Sequence, residues 1–253
     1  KLTAIKMLSF LKDHPFAVEA FFERSLVVTY AVPKKEIEGF VPQCLEVDAF
    51  NDQWAFVAAA MVRTKSLRPK GFPAIFGSDF FLIGYRVFVR FTDTRGMRSR
   101  GLYILASATD KKKLELLGNL FTHYNYTTTD IAEIENDGIV EISSTNPRFN
   151  CKYIEPTGDE ILLPADSPFT TWKEARRFAG PLPFTFTYEP KNKTVLVIEG
   201  VRQHWTPKPV KVINANFSFI NNLNLSEVRL ANAFLVCGVP YYWKKGRKER
   251  LAL

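Results

Sequence analysis

The sequence predicts a mainly β chain of the α+β class, with antiparallel strands and a few flanking helices. Three observations carry this. Stretches rich in aromatic and β-branched residues recur along the 253 residues. Turn chemistry separates them at hairpin spacing, as in Thr92-Asp93-Thr94-Arg95-Gly96 and Asp137-Gly138. Helical spacing of apolar residues is confined to short segments.

In chain order, Ile5, Leu8 and Leu11 predict a short amphipathic helix over Ala4 to Leu11, which His14-Pro15 ends. His14 reads as a loop or cap residue and is assigned no chemistry. Ser25 to Val32 reads as a strand, and Pro33 opens a one- or two-turn helix that Pro42 stops. Gln53 to Thr64 is a strand whose four alanines imply close approach by another layer or room for a ligand. Ser66 to Ser78, punctuated by Pro and Gly, is a loop across an end of the sheet. Phe80 to Phe91 and Leu102 to Thr109 form the central hairpin.

Asp110 is the expected N-cap of a helix reaching about Thr122. The next hairpin spans Asp130 to Ser144 around Asp137-Gly138, with a strand from Arg148 to Ile154 closed by Pro156-Thr157-Gly158-Asp159. Thr171-Trp-Lys-Glu174 is a capping box, and Gly180-Pro181 marks the stop of its helix. Phe184 to Tyr188 and Thr194 to Trp205 make a second strong hairpin. Ala231 to Tyr242 adds a last strand. A single domain over 1–253 is expected, with the N-terminal helix within 1–15 and a basic tail at 243–253.

Composition narrows the function classes. Apolar residues make up 46% of the chain and Phe occurs 22 times, enough for a substantial core. No run approaches the ~18 apolar residues of a membrane span. Cys44, Cys151 and Cys237 are far apart and odd in number, so neither a disulfide framework nor paired zinc ligands are expected. With no apolar leader at its start, the chain is expected in the cytoplasm. The net charge of +8 invites a polyanion partner, but it is dispersed apart from Lys111-Lys112-Lys113 and Lys244 to Lys248, which read as solvated faces. No specific nucleic-acid partner is expected, and the oligomeric state is open, a homo-oligomer included. P-loop, dinucleotide and nucleophile-elbow motifs are absent, so no cofactor is expected, and three histidines without a carboxylate pattern give no metal site.

Alternation along the central strand places Leu82, Gly84, Arg86, Phe88 and Arg90 on one face. Phe81, Ile83, Tyr85, Val87, Val89 and Phe91 form an apolar wall on the other. An arginine on a half-buried face needs an acceptor. It either lies at a wet rim or holds a carboxylate or carbonyl in fork geometry. Two further segments concentrate polar groups: His123-Tyr124-Asn125-Tyr126 and Gly200-Val-Arg202-Gln-His204-Trp205. Arg202 and His204 continue the face of Leu196 and Ile198, as at the mouth of a barrel. Alternatively, His204 caps a carbonyl and Arg202 pairs with an acid such as Glu199. The candidate ligand-binding residues are therefore Arg86, His123, Tyr124, Tyr126, Arg202 and His204, with either histidine able to move a proton near neutral pH.

Several segments together resemble acetoacetate decarboxylase-like proteins, above all a bacterial domain-of-unknown-function branch. They are Leu26-Val-Val-Thr-Tyr-Ala-Val-Pro33, Gly84-Tyr-Arg-Val-Phe-Val-Arg90, Gly101-Leu-Tyr-Ile-Leu-Ala-Ser107, Gly118 to Tyr126, Arg177 to Phe186 and Glu199 to Trp205. The resemblance covers roughly Phe16 to Tyr242. It implies a closed, cone-like antiparallel β-barrel with an internal pocket. The decarboxylase acts through a Schiff-base lysine, and Ser107-Ala108-Thr109-Asp110-Lys111-Lys112 lies over its motif, with Asp110 where the family has Pro. Three readings follow: a barrel binding a small organic acid or carbonyl compound, a Schiff-base lyase using Lys111 or Lys112, and a scaffold or sensor whose barrel is packed solid.

Overall fold

The computed structural model describes residues 11–156, 163–203 and 205–251. All but Leu11 of the expected first helix, the Thr157-Gly158-Asp159 part of one turn, and His204 lie outside the described residues.

The chain runs through β1 (Val18–Pro33), α1 (Lys34–Ile37), β2 (Glu46–Val47), β3 (Trp54–Pro69), β4 (Ser78–Thr92) and β5 (Arg98–Thr109). Next come α2 (Lys112–Phe121), β6 (Tyr126–Thr128), β7 (Ala132–Asn136), β8 (Ile139–Thr145), β9 (Arg148–Ile154) and α3 (Trp172–Ala179). The last part holds β10 (Phe184–Glu189), β11 (Thr194–Arg202), β12 (Lys208–Pro209), β13 (Lys211–Phe217), α4 (Ser218–Asn221), β14 (Arg229–Trp243) and β15 (Arg247–Arg250).

Seven strands form a hydrogen-bonded ring in the order β14-β1-β3-β4-β5-β10-β11, closed where β11 returns to β14. The closure is short: Gly200 faces Trp243, Val201 faces Tyr242 and Arg202 faces Tyr241. Every neighbouring pair in the ring is antiparallel except β5 and β10, which run parallel from Phe184 beside Gly101 to Phe186 beside Tyr103. The wholly antiparallel ring implied by the resemblance is corrected at that step. α3 lies on the connection between β5 and β10, allowing the chain to return in the same direction.

A second sheet, β13-β9-β8-β7, lies against one face of this ring. The alternation in β4 explains the contact. Ile83, Tyr85, Val87 and Val89 share a core with Phe149, Tyr153 and Phe217 of the second sheet. On the opposite face of the ring strands, α3 presents Ala175 and Ala179 to Phe56, Phe88 and Leu102. The small residues of β3 fit this two-sided packing: Ala58 lies in the α3 cluster, while Ala55 and Ala59 lie in the core beneath the second sheet. α3 is capped as its capping box predicts, with the Glu174 amide donating to the Thr171 hydroxyl at 3.1 Å.

Three local expectations are revised. Asp110 does not cap α2. Its carboxylate accepts from the Phe81 amide at 2.8 Å, tying β5 to β4, and Lys111 stands at the N-cap without a side-chain cap. β3 continues into the start of the expected 66–78 loop, to Pro69. The basic tail is not simply solvated: Arg247–Arg250 pairs with β11, because Thr194 to Val197 otherwise present an open edge.

Candidate functional site

The ring encloses a cavity of about 640 Å³. All seven ring strands contribute to its wall, for example Phe234, Val27, Val62 and Leu82 from β14, β1, β3 and β4. Ile104, Thr185 and Arg202 come from β5, β10 and β11. Leu114, Leu117 and Phe121 of α2 complete it. A cavity of this size is at odds with the third reading, a barrel packed solid.

The two arginines of the β4 face have different surroundings. Arg90 pairs with Asp48, which is fully buried and also receives Arg100. Arg86 lines the cavity, and among the described residues it makes no ion pair and its Nε has no acceptor. Its guanidinium folds back over Gly84, where a Cβ would stand 3.7 Å from Nε and Nη2. Burial pushes its pKa down from the usual arginine value, and the phenol groups of Tyr241, Tyr126 and Tyr124 stand near it. An arginine remains charged even so.

Three tyrosines surround this guanidinium, two of them set by glycines. A Cβ at Gly118 would lie 2.4 Å from the Tyr126 ring, and one at Gly200 would lie 1.8 Å from the Tyr241 hydroxyl. Glycine at those positions lets each ring enter the cavity wall. Burial pushes Tyr126 up to about 12 and also raises Tyr124 and Tyr241. All three remain protonated at neutral pH and can donate O–H hydrogen bonds. Arg202 is held by a bond from its Nη2 to the Pro181 carbonyl at 2.8 Å and by the Trp205 ring, 4.6 Å from its Cζ. Its Nε has no acceptor among the described residues. Glu199 is not its partner. Three residues away on the strand, Glu199 faces the other side and binds Lys244 at 2.9 Å.

Of the six residues singled out in the sequence, Arg86, Tyr124, Tyr126 and Arg202 meet at this cavity. His204 lies outside the described residues. His123 does not line the cavity, which corrects its expected role. Tyr124 and Tyr126 line the cavity and His123 does not; the chain bends at 123–124 and Asn125 takes a positive φ of 50°, which turns the segment before β6 begins. The His123 Nε2 lies 3.3 Å from Glu189 and 3.8 Å from Asp13. Lys248 binds the same two carboxylates at 3.0 and 2.7 Å. Burial raises the Asp13 carboxyl. For Glu189, the hydrogen bonds from Asp13, Lys248 and Asn192 outweigh burial and hold it at about 2. Asp13, His123 and Glu189 have ligand atoms within 4.8 Å of one another, but the Lys248 ammonium already supplies the cation there.

The histidine that does line the cavity is His14. It is buried, its Nδ1 has no partner among the described residues, and burial pushes its pKa down. Nothing periodic marked it, because it sits in a loop before Pro15. Lys111 and Lys113 lie at the rim, whereas Lys112 does not reach the cavity. The Lys111 side chain is 56% exposed and its ammonium is 3.5 Å from Asp110.

A seven-strand ring around a tyrosine- and arginine-lined cavity places the protein in the acetoacetate decarboxylase-like fold class. The fold is shared with an acetoacetate decarboxylase from Legionella pneumophila at TM-score 0.60 and 10% identity, over 94% of this chain and 88% of that one. It is shared with the enduracididine biosynthesis enzyme MppR complexed with pyruvate at TM-score 0.59 and 12% identity, over 92% and 90% of the two chains. An acetoacetate decarboxylase-like enzyme from Sphingomonas wittichii RW1 matches at TM-score 0.56 and 12% identity, over 96% and 94%. Residues 20–249 match the model of the DUF2071 family, described as an uncharacterized conserved protein, and the chain belongs to that family. No curated protein matches it in sequence. Among the described residues no helix is long and apolar enough to cross a membrane.

Proposed function

We propose that the protein binds an organic acid or a related carbonyl compound inside the ring, with Arg86 as the anchor for its anionic end. The supporting observation is the buried Arg86 guanidinium, which makes no ion pair among the described residues and whose Nε has no acceptor there. A charge withdrawn from water is costly unless paired, and Arg90 on the same strand face has such a pair in Asp48. A ligand carboxylate would complete Arg86 in the same way, through a two-pronged charge-assisted contact. The protonated Tyr124, Tyr126 and Tyr241 supply further donors around it. Arg202, clamped by Pro181 and Trp205, supplies a second cation on the wall. Among the described residues the lining holds Arg68, Arg86, Lys111, Lys113 and Arg202 against one acid, Asp79, and though Arg68 is paired with Glu19 the balance favours anions.

One fold neighbour is an enzyme complexed with pyruvate, a small acid, and this supports the reading. Titration of carboxylates into the purified protein tests the reading. Binding is expected for the wild type and loss of binding for Arg86→Met. Equal affinity in both would end it.

The Schiff-base reading draws on Lys111, which borders the cavity at the matching place in the sequence motif. An amine nucleophile of this kind works when withdrawn from water, yet Lys111 stands largely in water beside Asp110. Borohydride treatment with a keto acid is therefore expected to leave the intact mass unchanged. An adduct mapped to Lys111 would restore the lyase.

A further inference from the structure

We infer, building on the acid-binding reading above, that the acid carries an extended apolar body and is not a short keto acid. The cavity measures about 640 Å³. At about 30 Å³ for each water-sized group, that is room for roughly 20 such groups, several times the size of acetate or acetoacetate. The space is also in the range of about 300–1,000 Å³ that encloses a medium-sized organic ligand.

The chemistry of the wall says what fills the space beyond the carboxylate. Val62, Leu82, Ile104, Phe234 and Val236 come from four ring strands, β3, β4, β5 and β14, and carry no polar group. Leu114 and Leu117 of α2 extend this apolar surface, and Leu117 is partly open to solvent. Ordered water needs about two to four polar partners, and stretches of wall such as these offer none. Methylene or ring carbons gain from leaving water there. One group of polar side chains stands around the Arg86 guanidinium, where Tyr124, Tyr126 and Tyr241 are its near neighbours, and Ser25, Thr64, Asp79 and Arg202 also line the wall. One charged end and an apolar remainder is the pattern of an amphipathic monocarboxylate, with its head at Arg86 and its body along β1, β3, β14 and α2.

Calorimetric titration of the wild-type protein with propionate, butyrate, hexanoate and octanoate tests this, with 1-octanol as the uncharged control. Affinity is expected to rise by up to about fourfold per added methylene, the equivalent of about 0.8 kcal/mol for each one buried. The heat-capacity change of binding is expected to grow more negative along the series, the mark of apolar surface leaving water. Octanoate should bind more tightly than 1-octanol. A flat series, with propionate binding as well as octanoate, would overturn the apolar body and leave the acid site standing. Failure of every acid to bind, or equal binding of octanol and octanoate, would remove the acid site itself.

Discussion

Replacing Arg86 with methionine should make the protein more stable and less able to bind acids. The two effects come from one cause. Arg86 lines the ring cavity without an ion-pair partner among the described residues, and its Nε lacks an acceptor. Keeping an uncompensated charge away from water costs several kcal/mol even after relaxation and water penetration, and partial access through the cavity reduces that cost. A net gain of about 1–2 kcal/mol on removing the charge is a fair expectation, since sites kept for function are commonly strained. For a chain of this length about 1 kcal/mol moves Tm by roughly 2–4 °C, so the ligand-free variant should melt a few degrees above wild type. Methionine is chosen because its flexible stem fills the space of the arginine stem without a charge. Binding should move the other way. A hydrogen bond to a charged group is worth about 1.5–3 kcal/mol, so the Kd for a carboxylate should rise roughly 10- to 150-fold. Calorimetric melting without ligand and titration with octanoate give both numbers. A variant that melts several degrees lower while binding as well as wild type would show Arg86 to be a structural residue, refuting the reasoning.

Other substitutions separate structure from site. Asp48→Ala leaves Arg90 and Arg100 without their shared buried carboxylate; it should cost about 3–5 kcal/mol in urea denaturation while carboxylate affinity per folded molecule stays unchanged. Thr171→Ala removes the acceptor of the Glu174 amide at the start of α3 and should cost about 1 kcal/mol, read as a lower urea midpoint at unchanged m-value. Glu189 has a folded pKa held at about 2, below its ordinary 4.5, so its stabilising share is present above the ordinary value and fades as pH falls through about 2. Lys248→Met takes away the cation between Glu189 and Asp13, leaving the acid pair with no ammonium to offset its negative charge; its Tm deficit against wild type should be larger at pH 7 than at pH 4. An equal deficit at both pH values would mean that Lys248 contributes packing and not charge.

The strands were legible because side-chain alternation leaves a plain record. In β4 it separated the Ile83–Tyr85–Val87 wall from the Leu82–Gly84–Arg86 face, and the structure puts the second sheet on one and the cavity on the other. The rule gives no help with His123-Tyr124-Asn125-Tyr126, where the chain bends and Asn125 takes a positive φ, so the segment is not a strand until Tyr126. Arg90 and Arg86 looked alike in the sequence. What separates them is Asp48, 42 positions before Arg90 in the chain, which no local pattern could assign to one arginine and withhold from the other. His14 escaped notice because loop residues carry no periodic signal. Lys248 escaped because a run of basic residues reads as a solvated tail, whereas the open edge of β11 recruits it as a strand.

The most direct test is a crystal structure of the protein soaked with octanoate. The carboxylate should lie at about 2.7–2.9 Å from the Arg86 guanidinium nitrogens, the range of charge-assisted hydrogen bonds, with the alkyl chain running between Leu82 and Phe234. Octanoate bound at the rim lysines, or on the outer surface with Arg86 still bare, would contradict the account.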